Sequence, residues 1–60
     1  MNWYAKKLEE EMVSLEGAIR RAYAFLKRED IDEELREITK DHFNAMKYRY
    51  KELKHKLSLT

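Results

Sequence analysis

The stretch REDIDEE, residues 28–34, decides the fold. Apolar residues recur at helical spacing on both sides of it, so one helix through the whole chain is the first possibility to weigh. If the upstream series kept its phase, Glu29, Glu33 and Arg36 would enter the seam behind Leu26. Three unpaired charges in a core are too costly, so the phase breaks here. The apolar series restarts at Ile31, and Asp30 with Glu33 has capping-box spacing, with Asp in the place of Ser or Thr. Asp32, Glu33 and Glu34 then fall in a first turn, where the helix dipole favours negative charge. Asp32 is the competing cap. The stretch predicts a turn over about residues 28–31, joining helices over about 3–28 and 31–57 in one domain, 1–60.

Upstream, Asn2 is placed to cap the first helix. The seam of that helix is Met1, Ala5, Leu8, Met12, Leu15, Ile19, Ala22 and Leu26. The spacing alternates between three and four, the knobs-into-holes pattern. Tyr4, Ala18 and Phe25 widen the stripe on one side, which predicts contact with more than one neighbour. The small Ala18 and Ala22 permit a close approach. Downstream, the inward face is read as Ile31, Leu35, Ile38, His42, Ala45, Met46, Tyr50, Leu53 and Leu57. Its mean spacing slightly exceeds the α-helical period, so the stripe drifts along the helix.

The charges favour an antiparallel pairing independently. Residues 9–16 carry four glutamates and no base, and residues 20–28 carry four bases and no acid. Residues 29–41 carry seven acids against two bases, and residues 47–56 carry five bases against one acid. Folding the chain back lays each acidic half beside a basic half. Each exposed pair is worth little, but the pattern discriminates against other pairings.

Sixty residues rarely bury enough apolar surface to fold well alone. Without cysteine there is no disulfide and no thiolate metal site. Self-association is the remaining common remedy, so the expected architecture is all-α: an antiparallel two-helix hairpin that dimerises into a four-helix bundle. The seam residues above then serve both the hairpin core and the dimer. No apolar run approaches the length of a membrane span or a leader, which sets the expectation of a cytoplasmic protein. The glutamate- and lysine-rich composition, lacking glutamine and cysteine, is thermophile-like. The net charge of +1 makes this no strongly basic domain, so affinity for a polyanion must come from local patterning.

Such a pattern exists in KYRYKELKHK, residues 47–56. At about 100° per residue, Lys47, Lys51 and Lys54 point away from the apolar stripe. Arg36 and Lys40 extend the row upstream, with Phe43 at its edge. The plain reading of a charge run is a solvated face. The functional reading is a basic ridge that meets an acidic partner, protein first and nucleic acid second. His42 and Arg49 interrupt the apolar face. Glu11 lies at the height of Arg49 in a hairpin, which predicts a structural ion pair between the helices. Trp3 either packs at the chain end, over Leu57 or on Lys56, or anchors a partner. Glu52 and His55 have the spacing of half a di-iron motif, but the inward carboxylates of a complete site are missing. Ser14 and Ser58 have no base to activate them. No catalytic, cofactor-binding or metal-binding residue is assigned.

The length, the mid-chain DIDE turn and the first-helix seam resemble the Rop family of plasmid copy-number regulators. That resemblance implies a dimeric four-helix bundle and an outer face for paired RNA hairpins. In that family the RNA face uses a central phenylalanine on the first helix. Here the corresponding middle is Val13, Ser14 and Gly17, so the resemblance covers architecture and not the RNA-binding motif. The leading expectation is a non-enzymatic interaction module, a regulator or adaptor. The alternative is a Rop-like dimer that binds structured RNA or DNA through the ridge on the second helix.

Overall fold

The computed structural model describes residues 2–60, so the first seam position, Met1, lies outside it. The described residues form two helices and no strand. Helix α1 is Trp3–Leu26, α2 is Glu33–Ser58, and they pack as an antiparallel hairpin. Among the described residues no helix is long and apolar enough to cross a membrane.

Helix α1 starts because Asn2, in an extended conformation, turns its side-chain oxygen onto two orphan donors. Tyr4 and Ala5 donate their backbone N–H groups to it at 3.0 and 3.3 Å. The helix ends at Leu26, short of the expected Arg28, with Lys27 as C-cap. No described residue adopts positive φ, so the usual left-handed stop is not used. Arg36 supplies the missing donors from across the turn. Its guanidinium donates to the carbonyl oxygens of Leu26 and, at 2.7 Å, Arg28.

Helix α2 starts two residues later than the sequence reading placed it. Asp32 is the cap, with its carboxylate accepting from the Glu34 N–H at 3.2 Å. Asp30, the expected cap, forms a fork with Arg28 at 3.0 and 2.7 Å. The Asp30–Glu33 spacing was therefore a false capping box. A local spacing rule could not register that Arg36 must face the end of α1, and this fixes where α2 begins.

The same contact sets the rotation of α2. Its inward positions are Arg36, Thr39, Phe43, Met46, Tyr50, Leu53 and Leu57, all buried or half-buried and spaced alternately three and four apart. The upstream half of the predicted face is thus turned aside. Leu35 and Ile38 are 44% and 60% exposed, and His42 and Ala45 are exposed as well. From Met46 onward the expected seam holds. In α1, Ala5, Leu8, Met12, Leu15, Ile19, Ala22 and Leu26 all face α2, buried or half-buried.

The resulting core is slim. Among the described residues Leu8, Met46 and Leu53 are buried, with Leu53 at 0% exposure. The Cα frame measures 47 × 14 × 11 Å, with a radius of gyration of 14.1 Å. A compact chain of this length would have a radius of about 10.4 Å. The exposed area is 4921 Å2, against about 4,200 Å2 for a compact monomer of this mass.

Candidate interaction surfaces

The hairpin is a layer two helices wide, with two broad faces of different chemistry. One face is basic and aromatic. Phe43 rises from α2 beside Tyr23 of α1, with ring centroids 6.1 Å apart and planes at 27°. Each ring carries an ammonium. Lys47 sits 5.1 Å from the Phe43 centroid and Lys27 sits 4.5 Å from that of Tyr23. Such cation–π contacts hold the lysine stems against the rings while the charged heads stay in water.

Phe43 also divides two hollows on this face. One, of about 380 Å3, is walled by Ile19, Arg20, Phe43, Lys47, Tyr50 and Lys51, with Glu16. The other, of about 360 Å3, lies between Tyr23, Lys27, Arg36, Lys40, Phe43 and Asn44, with Leu26 beneath. Glu16 is already engaged by the Tyr50 hydroxyl, which donates to it at 2.7 Å. That hydrogen bond to a carboxylate, with burial and charge repulsion acting in the same direction, holds the Tyr50 phenol above its ordinary range.

Of the predicted ridge, Lys40, Lys47, Lys51 and Lys54 are exposed. Arg36 and Phe43 are half-buried and have other work, Arg36 at the turn and Phe43 at the edge of the core. The ridge is therefore no single-helix row. It becomes a two-helix face through Arg20, Tyr23 and Lys27, which the sequence reading did not single out. Aligning the chain about the centre of its turn places Tyr23 level with Arg36 rather than Phe43, so a register count on the sequence does not find the stack.

The opposite face is apolar toward the turn and charged toward the open end. Helical geometry puts Leu35, Ile38, His42 and Ala45 on the flank of α2 away from Lys40 and Lys47. Ala18 and Phe25 occupy the matching flank of α1, with the Arg28 guanidinium 5.7 Å from the Phe25 ring. Toward the open end, Arg49 lies beside the seam rather than at its centre. It meets Glu11 of α1 at 3.4 Å and Glu52 at 3.2 Å, all three side chains about half exposed.

At the open end, Trp3, Tyr4 and Lys7 of α1 face Arg49, Leu53 and Lys56 of α2 across a groove of about 590 Å3. Trp3 is 71% exposed, with Lys7 5.9 Å from its ring centroid. Its cation is Lys7 rather than the anticipated Lys56, and it does not bury itself as chain-end packing would require. Glu52 pairs with Arg49 and, at 3.3 Å, with Lys56. Among the described residues no group of three or more acidic, histidine or cysteine side chains gathers where a metal ion could be held. No protein-family model, curated protein or solved structure matches the chain.

Proposed function

We propose that this chain is a small non-enzymatic interaction module that works as a homodimeric four-helix bundle and docks an acidic protein surface on its basic, aromatic face. The observation that carries the reading is the Tyr23–Phe43 stack, framed by Lys27, Lys40, Lys47 and Lys51 from both helices. A rigid aromatic centre with a cationic rim is the composition of an interface hot spot for an acidic partner. The slim core and elongated shape support the dimer, because a hairpin of this size gains from sharing its faces.

The same face favours one alternative, a nucleic acid, because bases stack on exposed rings beside lysines. The near-zero net charge weighs against it. The discriminating experiment compares a labelled polyglutamate peptide with a labelled RNA duplex by fluorescence anisotropy, at low and at physiological salt. The proposal expects peptide binding that weakens with salt and is lost in the triple variant Lys47→Ala, Lys51→Ala, Lys54→Ala at unchanged helicity. Duplex binding with a steep salt slope and no peptide binding would transfer the function to nucleic acid. Peptide binding untouched by the triple variant would remove this face from the function.

A further inference from the structure

The dimer proposed above leaves open which surface joins the two copies and how they are oriented. We infer that a second copy of this chain covers the apolar half-face made by Ala18, Phe25, Leu35, Ile38, His42 and Ala45, with the two turns at the same end of the bundle and α1 of each copy over α2 of the other. This inference rests on the dimer reading.

The choice of face follows from charge and from area. The opposite face carries Arg20, Lys27, Lys40, Lys47 and Lys51, and pressing two such faces together would juxtapose like charges. The apolar half-face exposes Leu35 at 44% and Ile38 at 60%, while three side chains are buried among the described residues. The hairpin exposes about 700 Å2 more than a compact monomer of its mass would. A standard interface covers about 800 Å2 on each partner, so stacking one layer on another removes an area of the right size. Ala18 and Ala45 keep the face flat enough for close packing, as ridge-and-groove contacts between helices require.

The orientation follows from the distribution along the face. The apolar residues lie in the half near the turn, whereas Lys7, Glu11, Arg49, Glu52 and Lys56 line the half near the open end. A twofold axis along the hairpin lays apolar half on apolar half. It also exchanges α1 for α2 at each height, bringing Glu11 of one copy level with Arg49 of the other. The alternative twofold, with turns at opposite ends, would lay Leu35 and Ile38 against that charged half and bury ions among apolar side chains. Sliding the copies to avoid this would give up about half of the overlap.

Three measurements on the full chain test the inference. Sedimentation equilibrium of the wild type should give twice the chain mass. A spin label on Glu29→Cys, in the exposed turn, should report a pair distance less than half of the 47 Å long dimension. Ile38→Glu should weaken dimerisation about a hundredfold or more, because it buries an unpaired charge. The control Tyr48→Glu, on the side of α2 away from α1, should leave the dimer intact. A wild-type monomer overturns the dimer reading together with this inference. A dimer whose turn labels stand near the full length apart overturns the orientation and leaves the dimer reading in place. A dimer unaffected by Ile38→Glu overturns the choice of face. If Ile38→Glu fails to fold, the label distance, measured with Ile38 present, still decides the orientation. Single labels at Ile38→Cys and Tyr48→Cys then decide the face, as only the former should be immobilised by the second copy.

Discussion

Arg36 is the residue whose removal should separate a structural role from a ridge role most cleanly. It is half-buried and donates to two carbonyls, those of Leu26 and Arg28, which the end of α1 would otherwise leave to water. A hydrogen bond from a charged donor contributes roughly 1.5–3 kcal/mol when well shielded. Both bonds lie near the surface, where solvent reduces each to about 1 kcal/mol, so Arg36→Ala should cost about 2 kcal/mol. Lys40→Ala, one turn further and exposed, should stay within about 0.5 kcal/mol of wild type. Arg36→Lys should recover at most half of the loss, because an ammonium cannot present the planar fork that reaches two carbonyls at once. Urea unfolding followed by far-ultraviolet circular dichroism reads this directly, at one fixed protein concentration because self-association would make stability concentration-dependent. With an m-value of about 1 kcal/mol per molar urea, the expected fall in midpoint is about 2 M. If Arg36→Ala matches Lys40→Ala, or if Arg36→Lys restores stability in full, the turn is not held in the way described.

Three further outcomes follow from single side chains. Asp32→Ala should cost about 1 kcal/mol through loss of the α2 cap, whereas Asp30→Ala should be close to neutral, since its partner Arg28 is exposed; thermal melts of both decide. Gly17→Ala should stabilise α1 by up to about 1 kcal/mol, because the added methyl meets only the flexible end of Arg21 at 3.3 Å; a lower melting temperature would reveal a tighter neighbour at that site. Tyr50 should ionise above the ordinary phenol range, and Glu16→Gln should bring it back toward about 10, read as phenolate absorbance during an alkaline titration. The sign is that of a raised folded-state pKa: the neutral phenol is the favoured form, so the contribution is complete below pH about 10 and fades as pH rises through the folded value. A phenolate titration left unchanged by Glu16→Gln would refute the Glu16–Tyr50 bond.

The hairpin was legible in the sequence because its strongest signals are redundant. The charges that would have entered a continuous seam, the restart at Ile31 and the alternation of acidic and basic blocks all point to one fold. The α1 seam was legible for the same reason, since an uninterrupted three-four repeat leaves one way to face a partner. In α2 the upstream half offered two competing stripes, Leu35–Ile38–His42 and Arg36–Thr39–Phe43. Hydrophobicity favours the first stripe and the structure uses the second. The deciding interaction is between a side chain and backbone carbonyls ten and eight residues away, which no periodicity contains. The basic face was half legible for a related reason: its α2 cations could be found on one helical wheel, but Tyr23 and Lys27 join it only once the two helices are in register.

That displaced phase has a consequence for what the hairpin can do. Had Leu35 and Ile38 packed against α1, the apolar residues of α2 would have been spent on the hairpin's own core. Arg36 would have joined the outer row, and the carbonyls of Leu26 at the end of α1 and Arg28 in the turn would have lost their donor. Turning α2 so that Arg36 closes the turn places Thr39 and Phe43 in the seam and pushes Leu35, Ile38 and His42 onto one flank. It also carries Lys40 and Lys47 toward the other flank, where Phe43 and Tyr23 meet. One rotation therefore sorts the side chains of α2 into an apolar face and a cationic one, on opposite sides of a layer two helices thick. A monomer gains nothing from that sorting, because it leaves apolar surface in water that the other phase would have buried. The arrangement is favourable if the apolar side is covered by a like surface, since Lys40, Lys47 and Lys51 then point outward, away from the joint and toward a partner of opposite charge.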